Sequence, residues 1–280
     1  MTSYALTIVL SAAVLHALWN ALVKASDNRL AVMGLISAGH VLFGVVLALQ
    51  SPMPSAISWL YIAASTVIHF GYYFLLYHSY RLGDLSHVYP IARGMAPVLV
   101  AVGAQFFAGE TLPPLAWLGV LITSGGIFML AGNIFRSTTP PIVIFTAMAT
   151  GVMIAAYSLV DGLGVRVAGT ETGYIGWLFI SEVFVAGFVF FRLGPRVRQI
   201  SGKTLIMGLL GGLISAGAYG LVIYAKSFSP LAMVSTLRET SVVFAAIIGM
   251  VWLGERPWKL RLISAVFVAG GVVLLTVATR

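Results

Sequence analysis

Long apolar runs alternate with short polar or proline- and glycine-bearing interruptions along the whole chain. The runs fall near 3–24, 30–49, 57–79, 86–107 and 114–134, then near 140–162, 172–192, 204–226, 230–253 and 259–278. Ser26-Asp27-Asn28, Ser51-Pro52-Met53-Pro54, Gly83-Asp84, Pro113-Pro114, Thr139-Pro140-Pro141, Gly194-Pro195 and Ser229-Pro230 punctuate them. Each run has about the 20 residues a helix needs to cross a hydrocarbon layer. They are apolar all round, without the strict alternation of a barrel strand. The pattern predicts an all-α integral membrane protein with ten transmembrane helices.

The pattern also repeats. With Gly109-Glu110 set on Gly254-Glu255, an offset of 145 positions, Arg93 falls on Arg238, Val98 on Val243 and Ala101 on Ala246. Gly125-Gly126 then meets Gly270-Gly271, and Arg81 meets Lys226. Near the start of each half the offset is 141, which sets Asn20 on Asp161. Residues 1–136 and 137–280 are read as two five-helix repeats forming one membrane domain. An odd number of spans per repeat makes the second cross in the opposite sense. The expected architecture is two inverted five-helix repeats, with a solute site near the midplane between them.

Composition agrees with this reading. Of 280 residues, 60% are hydrophobic and 9% charged, where a soluble domain carries about 25% charged residues. The mean hydropathy is +1.01. Ten helices would use roughly 200 residues, leaving no room for a sizeable soluble domain. No cysteine is present, so structural disulfides and thiolate sites are excluded, and neither a metal nor a cofactor is expected. The net charge of +8 fits loops that face anionic lipid. The longest basic run, Arg192 to Lys203, reads as a loop and not as a nucleic-acid stripe. Met1–Val23 lacks a basic start and an Ala-x-Ala site and is expected to be the first span, not a signal peptide. Eleven Lys and Arg fall in the odd-numbered connections, against Arg166 and Lys226 in the even ones. The positive-inside rule then sets both termini outside.

The stretch Leu15-His16-Ala17-Leu18-Trp19-Asn20-Ala21-Leu22-Val23-Lys24 resembles the first helix of EamA-type proteins of the drug/metabolite transporter superfamily. So do Gly83-Asp84-Leu85-Ser86-His87-Val88-Tyr89-Pro90-Ile91-Ala92-Arg93-Gly94 and the twin Gly-Glu pairs. The resemblance covers essentially the whole chain. It implies a carrier in a bacterial inner membrane that works by alternating access, with segments 1, 3, 4, 6, 8 and 9 around a central cavity. It leaves the solute open among amino acids, organic acids, phosphonates and phosphorylated metabolites. Pro90 and Pro97, one on each side of Arg93, are the gating or hinge candidates. Ser235 and Val242 replace them in the second half, so such a hinge would exist in one repeat only.

Arg93 and Arg238 are the central candidates. Each lies well inside an apolar segment, where a guanidinium costs roughly 2.5–3.5 kcal/mol on insertion scales. A planar fork suits carboxylate, phosphate or phosphonate. The competing reading is a structural pair with Glu239, Asp161 or Glu182. His16 and Asn20 share one helix face with Lys24 beside Trp19, and are expected to line the cavity. Tyr73 and Tyr77 share a face of the third segment, and Tyr89 sits one turn before Arg93. Tyr157, Tyr219 and Ser235 are the second-half lining candidates. Asp161, Glu182 and Glu239 are read as charge partners or proton carriers. Glu182 is in the middle of the seventh segment, with His40 near the matching place on the second. The paired glycines should let helices approach closely, and the Gly-Glu pairs read as caps or gates.

The expected partners are a small anionic or zwitterionic solute and the bilayer, with the chain a monomer or homodimer. An intramembrane enzyme remains the alternative, although no Gly-x-Ser-x-Gly or HExxH motif is present. A channel or scaffold is the other, although no ring of like charges is evident.

Overall fold

In hydrocarbon every backbone N–H and C=O must be satisfied within its own segment, and a helix achieves this without partners. The computed structural model describes residues 2–24, 28–82, 85–132, 140–251 and 258–279. Every regular element among them is helical: α1 (Ser3–Lys24), α2 (Arg29–Leu49), α3 (Ser58–Leu82), α4 (Leu85–Phe107), α5 (Pro114–Met129) and α6 (Pro141–Val167). There follow α7 (Glu171–Ser181), α8 (Val183–Leu193), a 3-10 turn at Gly194–Gln199, α9 (Gly202–Phe228), α10 (Leu231–Arg238), α11 (Ser241–Val251) and α12 (Trp258–Ala278). Nine stretches of the described residues are helical, long and apolar enough to span a membrane. The tenth, α5, has 16 residues. It is shorter than the expected 114–134, because the chain turns through Gly132 at φ 59°.

Two expected single spans are interrupted. The seventh breaks at Glu182, whose N–H donates to Phe179 O, three residues back, at 3.2 Å. The ninth breaks at Glu239-Thr240. There the N–H groups of Glu239, Thr240, Val242 and Val243 each donate to the carbonyl three residues back. Neither break has a proline. At each, a hydroxyl instead bonds back into the ladder: Ser181 Oγ to Leu178 O at 2.6 Å and Thr240 Oγ1 to Leu237 O at 2.8 Å. Such back-bonding competes with the helical ladder and bends it, and a short 3-10 stretch within a helix commonly marks a hinge or strain. By contrast, α4 runs unbroken through Pro90 and Pro97.

The main packings are α1 on α9, α3 on α6, α4 on α6, α2 on α7 and α9, and α5 on α12. Glycines set several of these. A β-carbon on Gly212 would lie 2.6 Å from Ile36 O of α2, and one on Gly119 2.7 Å from Gly271 O of α12. Of the expected pairs, Gly126, Gly212 and Gly271 make such approaches, whereas Gly125 and Gly270 have nothing near them. Large apolar side chains such as Phe106, Phe107 and Phe191 point outward, as lipid contact requires. The interior is not purely apolar: Arg93, Asp161, Glu182, Lys226, Arg238 and Glu239 are all buried. Lys226 corrects the expectation that it belongs to a loop. It is fully enclosed on the last turn of α9, packed near α6 and α10, and drops out of the loop charge count.

Candidate functional site

The buried charges form three neighbouring stations. At the first, Arg93 of α4 reaches the break between α10 and α11. Its Nη2 is 3.0 Å from Glu239 Oε2 and donates to Ser241 Oγ at 3.2 Å. The Tyr89 ring lies 5.8 Å from the guanidinium, and Arg93 Nε has no acceptor. Glu239 follows Arg238 in sequence but points about 100° away round the helix. Its partner is therefore the arginine of the other half.

The second station surrounds Arg238, on the last turn of α10. Its guanidinium lies over the Tyr219 ring, 5.5 Å from the centroid. It donates no hydrogen bond and joins no ion pair among the described residues. A cation over an aromatic face is held by the ring quadrupole and keeps its N–H fork free. The Tyr219 hydroxyl donates to Asp161 Oδ2, and Tyr174 donates to Asp161 Oδ1 at 3.3 Å. Two phenols thus satisfy a fully buried carboxylate. The Lys226 ammonium donates to both the carbonyl and the hydroxyl of Ser158, and Ser158 Oγ lies 3.3 Å from Ser235 Oγ. Tyr157 stacks on His69 at 4.3 Å and meets Tyr219 edge-on at 5.7 Å. Buried tyrosines offer an apolar body with a polar tip, which suits a solute with both characters.

The third station is His40 of α2 against Glu182, Nδ1 to Oε1 at 2.8 Å, with both side chains buried. Tyr73 of α3 points its hydroxyl at Glu182 Oε2 from 3.5 Å. A small cavity between Thr66, His69, Ser181, Glu182 and Tyr219 joins this station to the second.

The remaining expected residues distribute as follows. His16 and Asn20 are half-buried on α1. Trp19 Nε1 donates to His16 Nδ1 at 3.2 Å, Asn20 Nδ2 donates to His16 O at 2.7 Å, and His16 Nε2 is unpartnered. α1, which carries His16, packs against α9, α10 and α11. The Tyr77 side chain and the Gly254-Glu255 pair lie outside the described residues. Lys226, Ser158 and Tyr174 were missed by sequence reasoning. Only the alignment of Lys226 with Arg81 hinted that it differs from a loop lysine.

The first Gly-Glu pair has a structural assignment. Gly109 adopts φ 66°, and the Glu110 N–H reaches back to Ala104 O at 3.1 Å, closing off the end of α4. The Glu110 carboxylate then accepts from the Leu231 N–H at 2.7 Å, so it caps α10, whose own N-cap, Pro230, has no side-chain acceptor. Arg166 donates to Glu110 Oε1, Ser229 O and Lys226 O. One carboxylate and one guanidinium thereby tie the end of α4 to the α9–α10 turn.

Residues 141–277 match the EamA-like transporter family, which supports an EamA-type membrane transporter. The chain is similar to a "Probable terminal-alkyne amino-acid exporter" of Streptantibioticus cattleyicolor, with 28% identity over 193 residues, 65% of this chain and 61% of that protein. It is also similar to an "Uncharacterized transporter in cobO 3'region" of Sinorhizobium sp, with 32% identity over 74 residues, 26% of this chain and 52% of that one. The matches thus span less than two thirds of either relative's length. A crystal structure at 19% identity shares the fold, with a TM-score of 0.77 over 99% of this chain and 98% of that one.

Proposed function

We propose that this transporter exports or exchanges a small zwitterionic or anionic metabolite, an amino acid foremost, across the bacterial inner membrane by alternating access. The observation that carries the reading is Arg238: a buried guanidinium held over Tyr219, whose donors have no acceptor among the described residues. A solute carboxylate or phosphonate would complete that fork. The neighbouring tyrosine rings and the buried carboxylates would receive an ammonium group and an apolar tail. The exporter name of the Streptantibioticus relative supports both the direction and the amino-acid class. Inverted repeats are supported by the packing, since α1 on α9 and α3 on α6 exchange when each span is replaced by the one five places away.

The test is a thermal-shift panel of amino acids, organic acids, phosphonates and phosphorylated metabolites on purified protein, because a ligand that binds only the folded state raises its stability. Counterflow in proteoliposomes follows, with L-propargylglycine as the alkyne-bearing amino acid. Arg238→Ala should lose about ten- to hundredfold in apparent affinity, the worth of a charge-assisted hydrogen-bonded contact. Unchanged binding and flux in both Arg238→Ala and Arg93→Ala would refute this site.

A further inference from the structure

We propose that the His40–Glu182 pair is a proton-binding site and, on the carrier reading above, the site that couples solute movement to protons. Three buried carboxylates were open to that role, and their surroundings separate them. Glu239 is already matched by the Arg93 guanidinium. Asp161 accepts two tyrosine hydroxyls, donors that keep their protons. Glu182 alone faces an imidazole, the side chain whose charge changes most readily near neutral pH.

The geometry supplies both a bound proton and a place for a second. One proton lies between His40 Nδ1 and Glu182 Oε1. His40 Nε2, on the far side of the ring, is buried and has no partner among the described residues. Uptake of a proton at Nε2 turns a neutral imidazole beside a carboxylate into an imidazolium–carboxylate pair. The net charge of the station goes from −1 to 0, and release to water on the opposite side restores it. The groups facing Glu182 are His40 from α2, and Thr66, His69 and Tyr73 from α3, with Ser181 beside it on α7 and Tyr219 from α9. None of these is a lysine, an arginine or a second carboxylate, so no fixed charge among them masks the change. An isolated charge in a membrane interior is costly, which gives proton occupancy leverage over conformation.

Two features connect that leverage to the solute site. Glu182 is itself the residue at which α7 gives way to α8. Tyr219 closes the same small cavity, bonds Asp161 and carries Arg238 on its ring.

Infrared difference spectra between alkaline and acidic buffers test proton uptake without any solute. Among the imidazole bands that change with pH in wild type, to which the other four histidines also contribute, one component should be lost in His40→Gln and shifted in Glu182→Gln. Spectra of Glu182→Gln and His40→Gln identical to wild type would overturn the proposal. In proteoliposomes, L-propargylglycine accumulation driven by a pH gradient should be lost in Glu182→Gln while gradient-free counterflow persists. Arg238→Ala should lose both. Gradient-driven accumulation at wild-type level in Glu182→Gln would overturn the coupling role, as would loss of counterflow in a folded Glu182→Gln. Absence of any flux in wild type would count against the carrier reading and leave the infrared result to decide the proton site.

Discussion

Arg93 and Arg238 occupy matching places in the two halves of the sequence, yet their surroundings are opposite. Arg93 sits within ion-pair distance of Glu239 and bonds Ser241, and its charge is answered by the protein. Arg238 rests on the Tyr219 ring, with no hydrogen bond from its fork among the described residues. Of two arginines at aligned positions, one meets a carboxylate and the other an aromatic ring. The comparison teaches that intramembrane charge is informative only together with its partner. Scarcity marks where to look, and the neighbouring acceptor decides what the charge does.

The sharpest way to break the comparison is Glu239→Gln, which removes the answer to Arg93. Uncompensated buried charge typically costs about 3–5 kcal/mol, so the unfolding temperature in detergent should fall steeply. Arg238→Ala should leave it nearly unchanged. The double variant Arg93→Met with Glu239→Met comes next. Replacing both members of a buried pair by apolar groups is commonly neutral or stabilising by about 1–4 kcal/mol, so most of the lost stability should return, and the coupling emerges as a double-mutant cycle. A smaller effect than that of Glu239→Gln belongs to Tyr219→Phe. It keeps the ring beneath Arg238 but withdraws one hydrogen bond from the buried Asp161 carboxylate, worth about 1.5–3 kcal/mol in stability. Solute affinity should fall less than in Arg238→Ala, as measured by titration of the thermal shift.

The apolar runs made the spans legible, because length and hydropathy alone decide what crosses a bilayer. The two arginines and the aromatic positions Tyr157 and Tyr219 were legible for the same reason: polar groups stand out against such a background. Pairing with Glu239 was among the readings, but choosing it for Arg93 over Asp161 and Glu182 depends on how α4 lies against the α10–α11 break. The breaks themselves were hidden because neither proline nor glycine marks them; Ser181 and Thr240 bond back there, as Thr146 does inside unbroken α6. Lys226 looked like a loop residue because Ser229-Pro230 follows closely. Burial of that last turn comes from tertiary packing, and only Ser158 of α6 reveals what the ammonium binds.

The contact between Gly119 of α5 and Gly271 of α12 has a mechanical consequence. Backbone meets backbone there, so no side chain can act as a bearing on which one helix slides past the other. The fifth and tenth spans pack there as one close pair, and on the carrier reading proposed above a change of access would fall to the broken spans around it.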